Sequence, residues 1–204
     1  MIAVIDYDAG NIKSVEKAFQ FLGEKVCITR DAEKIKSAQG VVLPGVGAFG
    51  DAMSRLYQYH LVDTIRHVVD KGTPFLGICL GMQLLFERSD ENAGVDGLGI
   101  LKGDILRIPE SKGLKVPHIG WNALSFPRKS RLFDGIRDGS YVYFVHSYYL
   151  KAGDEQIVAA KTQYGVEIHA AVEKDNVFAC QFHPEKSSET GLQILRNFIG
   201  IVPE

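Results

Sequence analysis

Long apolar runs are missing: nothing in the chain approaches the roughly 20 residues that a membrane-spanning helix needs, so no membrane role is expected. Cysteine is scarce, with Cys27, Cys79 and Cys180 odd in number and far apart. That pattern makes no disulfide framework and suits a reducing compartment, so a cytoplasmic location is expected. Cys180 and His183 lie close together, but no second Cys/His pair stands at zinc-like spacing, and neither a metal nor a cofactor is expected. Charge of one sign never accumulates. Lys and Arg total 23 against 25 Asp and Glu, a formal net charge of -2 without long blocks, which argues against a nucleic-acid partner. The opening Met1-Ile2-Ala3-Val4-Ile5-Asp6 lacks the basic segment and cleavage site of a secretory signal and reads as a first strand.

What is present is enough apolar material for one continuous core: 46% of 204 residues, read as a single domain over 1–204 that needs no covalent or metal staple. Short apolar runs alternate with longer amphipathic ones in the first half, which predicts an α/β fold with parallel strands joined by helices. Strands are expected at Ile2 to Ile5, Lys25 to Thr29, Gly40 to Leu43 and Pro74 to Ile78. A helix is expected over Ile12, Val15, Phe19 and Leu22, ended by Gly23, and one long helix over Ala52 to Lys71, capped by Gly72. Beyond Gly94 the strand-like runs Gly103 to Ile108, Tyr141 to Leu150, Ile157 to Lys161 and Val177 to Phe182 suggest antiparallel additions to an open, largely parallel sheet. Glu189 to Ile199 closes the chain as a helix.

The strongest chemical signal is Gly77-Ile78-Cys79-Leu80-Gly81, after an apolar strand and before the helix-compatible Met82 to Arg88. It has the form of a nucleophile elbow with cysteine in place of serine. A sharp strand-to-helix turn brings neighbouring backbone close, which is a steric reason for small residues at Gly77 and Gly81. Such a turn exposes the sulfur at the carboxyl edge of the sheet, near a helix N-terminus that favours thiolate, with the Leu80 amide free to donate to an oxyanion. The competing reading is a buried structural cysteine. A thiolate nucleophile needs a base and a group to orient it. His183 and Glu185 end the apolar run Val177 to Phe182, and an extended backbone stiffened by Pro184 is expected to hold them on one face. His146 is a rival base without a nearby carboxylate; His60, His67, His118 and His169 carry no catalytic signature.

Gly45, Gly47 and Gly50 satisfy a dinucleotide-binding fingerprint, after a strand and before a helix. Yet that fingerprint normally opens the first strand-turn-helix and expects an acidic residue at the end of the next strand, where this chain has Cys79. The more economical reading is a backbone loop beside Cys79 that gives a second oxyanion amide.

Taken together, Gly77-Ile78-Cys79-Leu80-Gly81-Met82-Gln83, His183-Pro184-Glu185 and Pro44-Gly45-Val46-Gly47 resemble the class I (triad-type) glutamine amidotransferases over nearly the whole chain. Asp6 to Asn11, Val116 to Asn122 and Tyr143 to Tyr149, with Met82, narrow the resemblance to glutaminases that serve a separate synthase subunit. The resemblance implies an α/β-hydrolase-like sheet, with Cys79, His183 and Glu185 hydrolysing L-glutamine through a γ-glutamyl thioester. It implies that Leu80, Val46 and Gly47 bind the oxyanion, that Gln83 and Glu91 hold the glutamine head group, and that Asn11, Trp121 and Lys186 lie near a partner. That partner is implied to be a (β/α)8-barrel cyclase subunit, paired as a heterodimer. It would use the ammonia to make imidazole glycerol phosphate and an aminoimidazole carboxamide ribotide in histidine biosynthesis. A sister amidotransferase or a free-standing cysteine hydrolase would use the same triad on another amide, and a nucleotide-binding module would use Gly45 to Gly50 instead.

Overall fold

Each short apolar run of the first half sends alternate side chains to opposite sides of one sheet. A computed structural model describes residues 1–203 and places strands at Ile2–Ile5 (β1), Val26–Thr29 (β2), Gly40–Leu43 (β3) and Phe75–Ile78 (β4). Next come Arg88–Ser89 (β5), Gly103–Arg107 (β6), His118–Ala123 (β7) and Tyr141–His146 (β8). Tyr148–Ala152 (β9), Val158–Tyr164 (β10), Val166–Lys174 (β11) and Val177–Cys180 (β12) complete the set. The helices are Ile12–Phe21 (α1), Ala32–Ser37 (α2), Phe49–Gln58 (α3), Leu61–Asp70 (α4), Leu80–Gln83 (α5) and Ser188–Ile201 (α6).

The central sheet has seven strands in the order β10-β11-β12-β4-β3-β1-β2. Pairs from β12 through β2 are parallel, while β10–β11 and β11–β12 are antiparallel. The period of two sends Ala3, Ile5, Val41, Leu43, Phe75, Val177 and Ala179 into one apolar layer with residues of α2, α3 and α4. Ile2, Val4, Val42, Leu76, Ile78, Phe178 and Cys180 face the other way, into a layer closed by α1 and α6. Strands buried on both faces explain why these runs read as continuously apolar.

Four sequence expectations change. The run Ala52 to Lys71 is two helices, because His60 adopts a left-handed φ of 54° between them. In one continuous helix of about 3.6 residues per turn, the Ala52-Met53-Leu56 face and the Leu61-Ile65-Val68 face would point roughly opposite ways. The break turns both to the core. Met82 to Arg88 is not helical past Gln83, because the carbonyls of Leu84, Leu85 and Phe86 accept from Leu98, from Ile100 and Leu101, and from Gly99. Tyr141 to Leu150 is likewise two strands, bent at Ser147: β8 pairs with β7, and β9 with β6 in a small sheet of its own. Finally, Val177 to Phe182 is not an antiparallel addition at an edge. Its strand β12 lies in the interior, parallel to β4 and antiparallel to β11, and that position sets its carboxyl end beside that of β4. Of the later runs, only β10, with β11, extends the central sheet in the antiparallel sense.

Candidate active site

Parallel pairing of β4 with β12 brings their carboxyl ends side by side, with Ile78 opposite Cys180 and the Cys79 amide donating to the Cys180 carbonyl at 2.8 Å. The next residues of the two strands are therefore neighbours, although they are about a hundred positions apart in sequence. Cys79 sits at φ 54° and ψ -111°, a conformation that costs a non-glycine residue of the order of 1–3 kcal/mol and persists only where the surroundings enforce it. The enforcement is steric. A Cβ on Gly77 would meet the Gly81 carbonyl at 2.9 Å, and one on Gly81 would overlap the Leu43 carbonyl oxygen. Gly81→Ala is accordingly expected to cost about 1–3 kcal/mol and to lower the melting temperature, measured by thermal denaturation, because the obstructing atom is backbone.

His183 follows β12, and its amide donates to the Tyr143 carbonyl of β8 at 2.9 Å. Pro184 to Lys186 then form a single tight turn, so His183 and Glu185 do not share one face of an extended strand. The turn itself swings the carboxylate back, and His183 Nδ1 lies 2.8 Å from Glu185 Oε1. Asn11 Nδ2 donates to the same oxygen at 2.6 Å. Both side chains of the His183–Glu185 pair are almost fully buried, at 3% and 0% exposure. Burial works against charge on His183, but Cys79 and Glu185 outweigh it and push its pKa up to about 10. An NMR titration of the His183 ring should find that midpoint, and Cys79→Ala should bring it down. With its folded pKa above the ordinary 6.5, charged His183 stabilises the fold fully below about 6.5, and that contribution fades as pH rises through about 10.

Cys79 and His183 line one cavity of about 330 Å³, together with Val46, Gly47, Leu80, Gln83, Glu91, His146 and Lys186. The expected oxyanion and head-group residues thus share one cavity with the sulfur. Glu91 has a second contact: its Oε2 accepts from the Phe49 amide at 2.8 Å, and Asn92 accepts from Gly50 at 2.8 Å. These two residues cap α3, whose own N-cap, Ala48, has no side-chain oxygen to do so. Gly50 is needed there, since a Cβ would press on Asn92. Gly45 packs on Tyr7 and Leu80, and Gly47 holds φ 105°. The three glycines of the fingerprint therefore have packing and conformational roles around Cys79. Tyr7, which sequence reasoning did not single out, donates from its phenol to the Pro44 carbonyl at 2.8 Å; burial, and then Cys79, push its ionisation up and keep it a donor.

The rival base is fully engaged. His146 Nδ1 is 2.8 Å from the Tyr148 carbonyl and Nε2 is 3.0 Å from His118 Nδ1. Burial pushes its pKa down to about 3, so it stays neutral with both nitrogens occupied. Cys180 is inert by the same physics, its thiol ionisation raised by complete burial.

The family model of glutamine amidotransferase class-I matches residues 3–201. The chain belongs to this family. Similar proteins include the imidazole glycerol phosphate synthase subunit HisH of Caldanaerobacter subterraneus subsp. tengcongensis, 52% identical over 97% of each chain. The HisH subunit of Methanocaldococcus jannaschii is 48% identical over 99% of this chain and all of its own. Among solved structures, PurLQS from Thermotoga maritima superposes with a TM-score of 0.76 at 20% identity, covering 99% of this chain and 98% of that one, which speaks for the fold. In this class-I amidotransferase the residues read as partner-facing each connect to the turn that follows His183, Trp121 through Tyr143, whose amide donates to Ser187. Asn11 is bound to Glu185, Lys186 is at the cavity, and Trp121 stands on β7, 51% exposed and edge-on to Tyr143 at 6.0 Å.

Proposed function

We propose that the chain is the glutaminase subunit of an imidazole glycerol phosphate synthase. It hydrolyses L-glutamine and hands the ammonia to a (β/α)8-barrel cyclase subunit that makes imidazole glycerol phosphate and aminoimidazole carboxamide ribotide in histidine biosynthesis. The observation that carries the reading is the cavity where Cys79 meets a buried, carboxylate-backed His183. The Cys79 thiolate attacks the side-chain amide carbon of glutamine. Collapse of the tetrahedral adduct breaks the C–N bond, His183 gives its proton to the departing ammonia, and a γ-glutamyl thioester remains. His183 then takes a proton from water, whose oxygen attacks the thioester, and glutamate leaves as the thiolate reforms. Glu185 keeps the Nδ1 proton in place throughout, so that Nε2 faces the reaction. Gln83 and Glu91 line the space for the substrate's head group.

The oxyanion is assigned to the Leu80 amide and the Val46–Gly47 backbone. In this conformation the Leu80 amide already donates to the Gly45 carbonyl at 3.3 Å. That contact blocks one donor, and the loop must turn to free it, a change that Gly47 at φ 105° can accommodate. One oxyanion donor is worth about 100–1,000-fold in turnover. Glutamate release by the chain alone is therefore expected to be slower than in the cyclase complex with ribotide bound by about that factor. Equal rates with and without the partner would remove the loop from the account.

Docking is assigned to the β7–β8 hairpin. Ile119, Trp121 and Tyr141 share one face there, 60%, 51% and 59% exposed, and Val145 on the same face reaches the cavity. Aromatic anchors of this kind are typical of interface centres. The deciding assay is glutamate release from glutamine with the cyclase and its ligand present. No release from a folded, associated complex would exclude the glutaminase reading.

A further inference from the structure

Gln181 lies one residue beyond β12, and its amide still pairs with the Ala170 carbonyl at 2.8 Å. In the alternation of that segment it falls on the side of Val177 and Ala179, an apolar layer, yet it carries a primary amide that is 0% exposed. A buried amide is costly unless its donors and acceptor are bonded. The bonds it makes run in one direction only. The Tyr148 carbonyl can only accept, so the Gln83 atom 3.2 Å from it is the nitrogen. That same nitrogen is 2.9 Å from Gln181, so the facing Gln181 atom is its oxygen. The Gln181 nitrogen is thereby turned toward the Cys79 sulfur, at 3.7 Å. A backbone carbonyl thus fixes, through two side chains, a donor on the nucleophile.

We propose that Gln181 is a further catalytic residue of this amidotransferase, donating an amide N–H to the Cys79 sulfur whenever it is anionic, with Gln83 as its positioning residue. The proposal rests on the glutaminase reading for its catalytic meaning. The sulfur is anionic twice in the cycle: before it attacks, and as the thioester breaks. A thioester sulfur is a poor acceptor, so the bond is strongest at those two stages and helps the thiolate to leave in the second. It also fixes the sulfur on the side of the cavity facing His183, and makes Gln83 a bridge between the head-group space and the nucleophile.

The test is the pH dependence of Cys79 alkylation by iodoacetamide in the full chain, with Cys79 resolved from Cys27 and Cys180 by peptide mass spectrometry. Gln181→Met keeps the volume and removes the donor. The midpoint of its rate profile is expected to move up by about one pH unit, as loss of a charge-assisted bond implies. Gln181→Glu, with a carboxylate against the sulfur, should move it further, and Gln83→Met part of the way. In the cyclase complex Gln181→Met should lower kcat about tenfold without raising KM, because the thiolate leaves the thioester less readily. A wild-type midpoint in a Gln181→Met chain with unaltered circular dichroism and melting overturns the assignment. Should that variant not fold, an unmoved midpoint in Gln83→Met overturns it instead. Alkylation needs no glutamine, so a wild-type cyclase complex inert to glutamine would sink the glutaminase reading and still leave the Gln181 contact to be judged by its profile.

Discussion

Cys79→Ala is expected to cut glutamate release in the cyclase complex by about 10,000-fold or more, the scale seen when a covalent nucleophile is removed. The fold should survive. Alanine at φ 54° carries the same backbone strain as cysteine, and the side chain lost is small and borders a cavity. Melting temperature and binding to the cyclase are therefore expected to stay near wild type, which separates lost chemistry from lost structure. Gln83, Glu91 and the Val46–Gly47 loop are untouched, so glutamine should still bind. Turnover within tenfold of wild type would mean that another group attacks the amide. Neither remaining cysteine offers a route, since Cys180 is wholly buried and Cys27 is on β2, at the far edge of the sheet.

The second large effect is expected at Glu185. Glu185→Gln should lower kcat by about 1,000-fold with little change in KM, read in the same assay. Oε1 of Glu185 accepts from both His183 and Asn11, and Oε2 is buried without a donor among the described residues. A glutamine that keeps its oxygen on His183 and Asn11 must bury an amide nitrogen where Oε2 stood. One that flips presents N–H to Nδ1 and forces the proton onto Nε2, the wrong tautomer to receive a proton near Cys79. Either arrangement also removes the negative charge that stabilises the imidazolium. The His183 midpoint of about 10 should fall in this variant too, because Glu185 is one of the groups that raise it.

The residues proposed as the triad were legible in the sequence because each half is a local motif. The elbow needs small residues at Gly77 and Gly81, and His183-Pro184-Glu185 places a base and its partner within three positions. The reason they meet was not legible, because it lies in the pairing of β12 with β4, a long-range contact that no local period encodes. The same limit explains the break at His60: each half of the Ala52 to Lys71 run is amphipathic, and only the change of face at Leu61 marks it. β7 was not read as a strand, since its pairing with β8 depends on tertiary context, and β11 pairs through the Gly165 turn that closes its hairpin. Asn92 and Tyr7 act through contacts with distant loops. Gln181 did leave a signal, a lone amide in the otherwise apolar run Val177 to Phe182, but its partner Gln83 is 98 positions away. By contrast, the strand periodicity of β1, β3 and β4 stands as read, because burial on both faces of a parallel sheet is written directly into apolar runs.

The most direct measurement is to quench the glutamine-fed cyclase complex with acid during turnover and map the modified peptide by mass spectrometry. A γ-glutamyl group on Cys79, appearing with glutamine and lost when unlabelled complex is chased to completion, is the predicted result. Sustained glutamate release with no adduct on Cys79, or an adduct on Cys27 or Cys180 in its place, would contradict the account.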